Sequence, residues 1–174
     1  MNVQEATTRR LPDLKERHLP ENCRETINTI LKETYGYEQF RNLEIYDDLS
    51  KGKEKLCISQ GQLIENVILE AEKAWKSETQ VDNILLTAPT GSGKSLLFQL
   101  PAIYLGKEYN LLTIVVSPLK ALIVDQVESL QELGYARVAY ASSDLSPEQK
   151  MEVYRQVREG EIDLFYLSPE LLLS

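Results

Sequence analysis

The sequence has few cysteines and no long apolar run, and each scarcity removes a class of protein. Its 174 residues include 2 cysteines, Cys23 and Cys57, whose spacing matches no metal-binding motif. No stretch approaches the ~18 consecutive apolar residues that span a membrane, and the polar N-terminus lacks the apolar centre of a secretory signal. We therefore expect no membrane partner, two reduced thiols, and a cytoplasmic location (nuclear if the source is eukaryotic).

Positive charge is also scarce. Lysine and arginine total 19 against 27 aspartates and glutamates, which gives a net charge of −8. A protein that binds nucleic acid through a broad basic face has the opposite balance, so this charge argues against a simple DNA-binding module. It is compatible with an enzyme that contacts a strand through a few loop residues. The single histidine, His18, lies in a polar segment and is interpreted as solvated.

The first part of the chain predicts a leader followed by a helical extension. Residues 1–20 are polar and contain two prolines, which favours a partly disordered leader. Residues 21–82 form the predicted extension, with a first helix that ends at Gly36 and a second that Ser59 can cap. Between them, residues 42–59 show no clear period and are interpreted as a loop or a short insertion.

From residue 83 onward, short apolar runs alternate with helical patterns. The predicted strands are 83–88, 111–117, 136–141 and 162–168, and the intervening helices are expected to stop at Gly106, Gly134 and Gly160. This alternation predicts an α/β fold, a parallel sheet with helices on both faces. Ligands of such sheets bind at the carboxyl ends of the strands. We therefore expect the functional loops to share that edge.

The segment TAPTGSGKS, residues 87–95, has the composition of a phosphate-binding loop. Glycines let successive amide groups turn inward around an anion, and the helix that follows adds its positive dipole end. Lys94 can reach the β- and γ-phosphates as the catalytic candidate, and the Ser95 hydroxyl can ligate Mg²⁺. The predicted ATP-binding residues here are Ala88, Pro89, Thr90, Gly91, Ser92, Gly93, Lys94 and Ser95. Ala88 stands where the general motif has glycine, and the alternative is a chance glycine turn between a strand and a helix.

Four segments together resemble one family. APTGSGKSLLFQLPAIYL, VVSPLKALIVDQVESLQELG, REGEIDLFYLSPELLL and, upstream of the loop, YGYEQFR follow the order of motifs in superfamily 2 DEAD/DEAH-box helicases, with the RecQ-like group most similar. The resemblance covers residues 35–174. It implies a RecA-like sheet over residues 83–174 that stops before the Asp-Glu box, with the second RecA-like motor domain missing from this chain.

The resemblance also implies an activity and further site residues. Such motors hydrolyse ATP with Mg²⁺ and use it to move along and unwind single-stranded or duplex DNA, with RNA as the alternative. Tyr37, Arg41 and Gln62 correspond to the residues that hold adenine. In this sequence the segment 42–60 separates Phe40-Arg41 from Gly61-Gln62, and this separation is a departure from the RecQ pattern. For each of these side chains the alternative is an ordinary core or surface role.

Nucleic-acid contacts are implied at two further motifs. Their residues are Ser117, Pro118, Lys120, Ser168 and Pro169. The serines precede prolines that can start helices, so they can equally be helix caps. A lysine at a helix start is usually solvated. The family resemblance favours strand phosphates as the ligands of these groups.

Three alternatives stay open from the sequence. The SPLKAL block also resembles Ski2-like helicases. Another P-loop NTPase, such as a kinase or a transporter ATPase, would share the loop but lack the SPLKAL and YLSPELL blocks. The third alternative is a non-catalytic fragment that binds nucleotide or nucleic acid. We expect this chain alone to be inactive in hydrolysis, since the water-activating acid and the second domain's arginine are missing.

Overall fold

The computed structural model describes residues 17–46, 55–76, 81, 83–86 and 91–172. The chain divides into two compact units, one formed by Met1–Asn28 with Glu38–Pro101 and the other by Thr29–Tyr37 with Ala102–Ser174. Helix α1 (Glu21–Tyr35) starts in the first unit and ends in the second, and helix α3 (Leu96–Tyr109) does the same. None of the helices in the described part of the chain is both long and apolar enough to cross a membrane.

The first unit contains an antiparallel hairpin in the segment that the sequence analysis interpreted as a loop or a short insertion. Strand β1 (Asn42–Tyr46) pairs with β2 (Lys55–Ser59). Leu43 lies opposite Ile58, and both side chains are buried. The loop interpretation was wrong, whereas a short insertion is compatible with the hairpin. The ladder depends on pairing across an intervening segment, and the residue pattern of one strand does not show such pairing. Helix α2 (Gln60–Trp75) follows at once and is capped as predicted, with the Ser59 hydroxyl accepting from the Gly61 N–H at 3.2 Å.

The last residues of the predicted leader pack on helix α2. The Leu19 side chain is buried and its N–H donates to the Glu65 carboxylate at 3.0 Å. Arg17 forms an ion pair with Glu70 at 2.7 Å, and Glu70 is itself buried. Residues 1–16 lie outside the described residues. The end of the predicted leader, residues 17–19, is therefore held in place by contacts with α2.

The predicted strand 83–88 is absent over its described residues. Residues 83–86 have no strand pairing, and Leu85 is 91% exposed. A strand exists only through hydrogen bonds to a neighbour, so an apolar run without a ladder partner stays irregular. Residues 87–90 lie outside the described residues.

The second unit contains a parallel sheet in which the last strand is central. Strands β3 (Thr113–Val116), β4 (Val138–Ala141) and β5 (Leu164–Leu167) are arranged in the order β3-β5-β4. Ile114 pairs with Phe165, and Ala139 pairs with Phe165 from the other side. Both crossovers contain helices, namely α4 (Lys120–Glu132) and α5 (Pro147–Arg158), and a short α6 (Pro169–Leu172) follows β5.

Both faces of the central strand are covered. On one face, Phe165 and Leu167 belong to a buried cluster against which Val153 and Val157 of α5 pack. Successive side chains of a strand point to opposite faces, and the other two, Leu164 and Tyr166, are 0% and 1% exposed. These contacts confirm the predicted α/β fold with a parallel sheet. By contrast, edge strand β3 leaves Ile114 and Val116 about half exposed.

The predicted helix end at Gly106 was wrong, because helix α3 continues through Gly106 to Tyr109. A larger residue at position 106 would not fit here, because Asp163 occupies the space of its side chain. The Asp163 Cγ would be 2.3 Å from a Cβ added to Gly106. The helix ends instead at Asn110, which has a φ of +52°. Asparagine is one of the few residues other than glycine that adopts this left-handed helix end. The predicted ends at Gly134 and Gly160, with φ of +86° and +72°, are confirmed.

Asp163 anchors the start of β5. Its side chain is 2% exposed and accepts the Tyr135 hydroxyl at 2.6 Å. Arg137 donates two bonds to the same carboxylate, both at 2.7 Å, and a further bond to the Gly160 carbonyl. Burial and the bond to Asp163 raise the pKa of Tyr135 well above its ordinary value. A buried carboxylate is tolerated only when charged and neutral donors surround it in this way.

Candidate nucleotide-binding site

The described part of the phosphate loop has the backbone shape that anion binding requires. Gly91 and Gly93 have φ of +81° and +77°, a region that L side chains rarely enter. At the start of α3 the N–H groups of Leu96 and Leu97 donate to the carbonyls of Gly93 and Lys94, so the loop residues lie at the positive end of this helix. The Lys94 residue is exposed. Ala88, Pro89 and Thr90 lie outside the described residues.

Two side chains of the loop bear on whether a Mg·ATP ligand fits. The Ser92 hydroxyl oxygen is buried without a hydrogen-bond partner in the described part of the chain, an arrangement that a ligand oxygen would satisfy. Ser95 stands immediately before α3 and is half-buried. Among the described residues, no group of three or more histidine, cysteine or acidic side chains is arranged so that it could hold a metal ion. The hydroxyl of Ser95 is a type of ligand that Mg²⁺ accepts beside phosphate oxygens and water.

Gln60, the first residue of α2, connects the phosphate loop to Arg41, which immediately precedes β1. Its side chain is 2% exposed. Its Nε2 donates to the Ser92 carbonyl at 3.1 Å, and its Oε1 accepts from the Arg41 N–H at 3.1 Å. The Gln60 backbone N–H also donates to the Arg41 carbonyl at 2.9 Å. One buried amide thus joins Arg41, a predicted base-binding residue, to Ser92, a predicted phosphate-binding residue.

The predicted adenine residue Gln62 lies in the first turn of α2 and lines a cavity of about 310 Å³. Its Nε2 donates to the Arg17 carbonyl at 2.8 Å. The Phe40 ring lines the same cavity and packs so closely on Gly61 that an added Cβ would be 2.7 Å from its Cδ2. Glycine at 61 therefore lets an aromatic ring lie against the start of α2 beside Gln62.

The charges around this cavity favour a neutral group over a phosphate. Glu21, Glu25 and Glu65 line it, together with Arg24 and His18. Arg24 is already paired with Glu21 at 2.6 Å, and His18 lies 3.5 Å from Glu65. Carboxylates repel a polyphosphate but accept hydrogen bonds from exocyclic amines. The cavity is therefore chemically suited to a nucleobase.

Tyr37, the third predicted adenine residue, belongs to the second unit. It is 49% exposed and stacks on Tyr35, with ring centroids 6.5 Å apart and planes at 11°. Its ring therefore has one face covered by another aromatic ring and remains half open to solvent.

The two predicted nucleic-acid motifs meet at the carboxyl edge of the parallel sheet. The Ser117 N–H donates to the Leu167 carbonyl at 3.1 Å, which joins the ends of β3 and β5. The Ser117 hydroxyl accepts from the Leu119 N–H at 3.4 Å, as a local turn contact. Ser168 is 1% exposed, so its side chain faces the interior, while Pro118 is exposed and Pro169 is half-buried. A strand would reach Ser168 through backbone groups rather than its hydroxyl.

Lys120 lies at the same edge but is held by an acidic neighbour. Its Nζ donates to Ser143 and, at 2.8 Å, to the Asp144 carboxylate, both of which follow β4. The bond from Lys120 lowers the pKa of Asp144 below its ordinary value. Both side chains remain substantially exposed, at 41% and 68%. The sequence interpretation treated Lys120 as either solvated or bound to a strand and did not foresee this pair.

Sequence reasoning missed Gln60 as well as Asp144. Nothing local marks Gln60, because an amide at the first position of a helix is ordinary and its partners are 19 and 32 residues away. Asp144 follows a predicted strand in the segment ASSD, so its place at the carboxyl edge could have been inferred from the sheet topology. Its pairing with Lys120 depends on β4 and α4 being neighbours, which appears only in the fold.

Comparison with known proteins places these features in a family. Residues 68–174 match the DEAD/DEAH box helicase family. The ATP-dependent DNA helicase RecQ of Synechocystis sp. is 34% identical over 151 residues, which cover 87% of this chain and 25% of that protein. RecQ of Bacillus subtilis is 32% identical over 84% of this chain and 20% of its own length. The ATP-dependent DNA helicase Q-like 5 of Arabidopsis thaliana is 32% identical over 86% of this chain and 13% of its own length.

The chain thus spans a quarter or less of the length of these relatives. It also overlays the crystal structure of the DUF1998 helicase MrfA bound to DNA and AMPPNP, over 90% of this chain and 18% of that one. The TM-score is 0.47 and the identity 22%, a likeness too slight to add to the family assignment.

Proposed function

Because this chain belongs to the DEAD/DEAH box helicase family, we propose that it is the ATP-binding part of a motor that couples ATP hydrolysis to movement along DNA and to strand separation. The relatives that support this proposal are named ATP-dependent DNA helicases. RNA is the alternative substrate. A second RecA-like domain would close on the nucleotide and convert hydrolysis into movement.

The observation that carries the proposal is the arrangement around the first turn of α2. Gln60 at its start touches the phosphate loop, and Gln62 two residues later lines the cavity suited to a base. A base site and a phosphate site that adjoin the same helical turn can hold the two ends of one nucleotide. At about 310 Å³ the cavity is within the range of small-molecule sites.

Two kinds of role in phosphoryl transfer are assigned to the residues of this site, namely nucleotide binding and charge neutralisation. The loop amides and the positive end of α3 would hold the β- and γ-phosphates, and the Lys94 ammonium would offset the charge that develops on the transferred group. The Ser95 hydroxyl would hold Mg²⁺, which supplies charge neutralisation across the phosphate oxygens when bound. Arg41 and Gln62, which both belong to the first unit, would bind the adenine.

Substitution of Lys94 by alanine tests this proposal. We expect Lys94→Ala and Ser95→Ala to weaken Mg·ATP binding by roughly tenfold or more, since each removes a charged or metal-linked contact. Titration with a fluorescent ATP analogue measures the binding, and circular dichroism on the same samples monitors the fold. Lys107→Ala, which removes an exposed cation near the far end of α3, is the matched control. Equal ATP affinity for Lys94→Ala and the unmodified chain would refute the proposed site.

A further inference from the structure

We propose that Gln60 is a positioning residue that fixes the phosphate loop relative to the base-binding segment, so that both ends of a nucleotide are bound together. This inference rests on the proposed ATP site. It concerns a side chain that is buried and hydrogen-bonded on both sides yet would itself touch no substrate.

The donor side of the Gln60 amide holds the loop. Its Nε2 donates to the Ser92 carbonyl, which lies between the two glycines of positive φ. A loop of this shape has little rigidity of its own, because glycine backbones have many accessible conformations. A buried hydrogen bond to its central carbonyl therefore restricts where the amides on either side can point.

Gly93 shows that the loop is shaped around this side chain. A Cβ at position 93 would lie 2.6 Å from the Gln60 Nε2, closer than real Cβ contacts allow. Gly93 thus has two reasons to be glycine, its φ of +77° and the close approach of Gln60. The contact between the amide and the loop is consequently tight on two successive residues, Ser92 and Gly93.

The acceptor side of the amide holds the base segment. The Arg41 N–H donates to the Oε1, and the Gln60 N–H returns a bond to the Arg41 carbonyl. Arg41 is therefore held at both its backbone N–H and its carbonyl. Because a single planar amide makes the bonds to Arg41 and Ser92, a movement of one partner is transmitted to the other.

Replacement by glutamate separates the two sides of the amide. Gln60→Glu keeps the size and the acceptor for Arg41 but places a carboxylate oxygen against the Ser92 carbonyl, where a donor is needed. We expect roughly a tenfold loss of ATP affinity near neutral pH. Affinity for tripolyphosphate should also fall, because the loop amides are less restrained, but it should fall less than affinity for ATP, since tripolyphosphate has no base to be aligned with the loop.

Lowering the pH should restore the ATP affinity of Gln60→Glu. A buried carboxyl has a raised pKa, and once protonated it can again donate to the Ser92 carbonyl. The ratio of variant to unmodified ATP affinity should therefore rise towards one as the pH falls from about 8 to about 5. Because both proteins are measured at the same pH, the effect of ATP protonation on affinity cancels in this ratio. A variant that merely failed to fold would not recover on acidification.

The experiment combines nucleotide titration with hydrogen exchange in the ligand-free chain. Near neutral pH we expect the amides of residues 91–95 to exchange faster in Gln60→Glu than in the unmodified chain. At acidic pH this difference between the two proteins should disappear. Suppose that Lys94→Ala weakens ATP binding but Gln60→Glu binds ATP as tightly as the unmodified chain. The positioning role of Gln60 is then wrong, while the proposed ATP site is supported. If ATP binding is insensitive to Lys94→Ala, the ATP site is wrong, and the role of Gln60 falls with it. Equal losses for ATP and tripolyphosphate without recovery in acid would also overturn the inference.

Discussion

The Asp163 carboxyl group occupies the space that a side chain at Gly106 would need: its Cγ would lie 2.3 Å from an added Cβ. This carboxylate cannot easily move aside, because Tyr135 and Arg137 both hold it. With glycine at position 106, α3 can therefore lie closer to the start of β5 than it could with a larger residue there.

Gly106→Ala should destabilise the chain. Alanine is favoured over glycine inside a helix by about 1 kcal/mol, but the clash with a fixed, buried carboxylate should exceed that gain and leave a net loss of about 1–3 kcal/mol. Urea unfolding followed by circular dichroism measures the free energy of unfolding. Lys107→Ala, the exposed neighbour, should change it by less than about 0.5 kcal/mol. An increase in stability for Gly106→Ala would show that Asp163 can move.

Tyr135→Phe should change both stability and its dependence on pH. The folded state raises the pKa of Tyr135 above the ordinary value of about 10. Its contribution to stability is therefore fully present below pH about 10 and is lost as the pH rises towards the folded pKa. The variant should lose about 1–2 kcal/mol at neutral pH and should lose less further stability than the unmodified chain between pH about 10 and 11. Tyr154→Phe, at an exposed tyrosine, is the control, and identical pH profiles for all three proteins would contradict the prediction.

Gln62→Ala should reduce the preference for ATP over GTP. A glutamine amide can accept from the exocyclic amine of adenine and donate to the adjacent ring nitrogen, whereas guanine presents the reverse pattern. Each mismatch costs roughly 1–3 kcal/mol, so the unmodified chain should prefer ATP about tenfold or more. Competition between the two nucleotides measures this preference. Gln39→Ala, an exposed glutamine beside Phe40, should leave it intact. Equal binding of ATP and GTP by the unmodified chain would exclude Gln62 as the base-reading residue.

Asp144→Asn should strengthen binding to single-stranded DNA. The substitution removes the carboxylate that holds Lys120, so the ammonium can contact a strand phosphate instead. We expect a several-fold gain in affinity and a slope of log affinity against log salt that is steeper by about 1. Fluorescence anisotropy of a labelled oligothymidylate at several salt concentrations measures both quantities.

The control for this prediction is Asp125→Asn, which changes the net charge equally at an exposed position on α4. Adding Lys120→Ala to Asp144→Asn should abolish the gain. A gain of the same size for both asparagine variants would show that net charge, rather than release of Lys120, is responsible.

Three of the four predicted strands of the alternating half, β3, β4 and β5, could be predicted because their signals are local. The β-branched run of β3 and the helix α5, which Ser146 caps, can be recognised from a few adjacent residues. The hairpin of β1 and β2 and the passage of α3 through Gly106 could not, because each depends on a partner distant in sequence. For the site, the φ values of Gly91 and Gly93 agree with the glycine-loop prediction, whereas the bond from Gln60 to Ser92 is set by tertiary contact alone.

The strand order β3-β5-β4 has a consequence for how the chain folds during synthesis. Strands β3 and β4 are consecutive in sequence but do not pair with each other, and among the described strands each pairs with β5. About 50 residues separate β3 from β5, and a ribosome needs several seconds to make them at roughly 5–20 residues per second. Throughout that interval β3 lacks its β5 partner, and β4 lacks the same partner from the time of its own synthesis. The sheet can therefore close only after Leu164–Leu167 has emerged, when one segment completes both ladders at once.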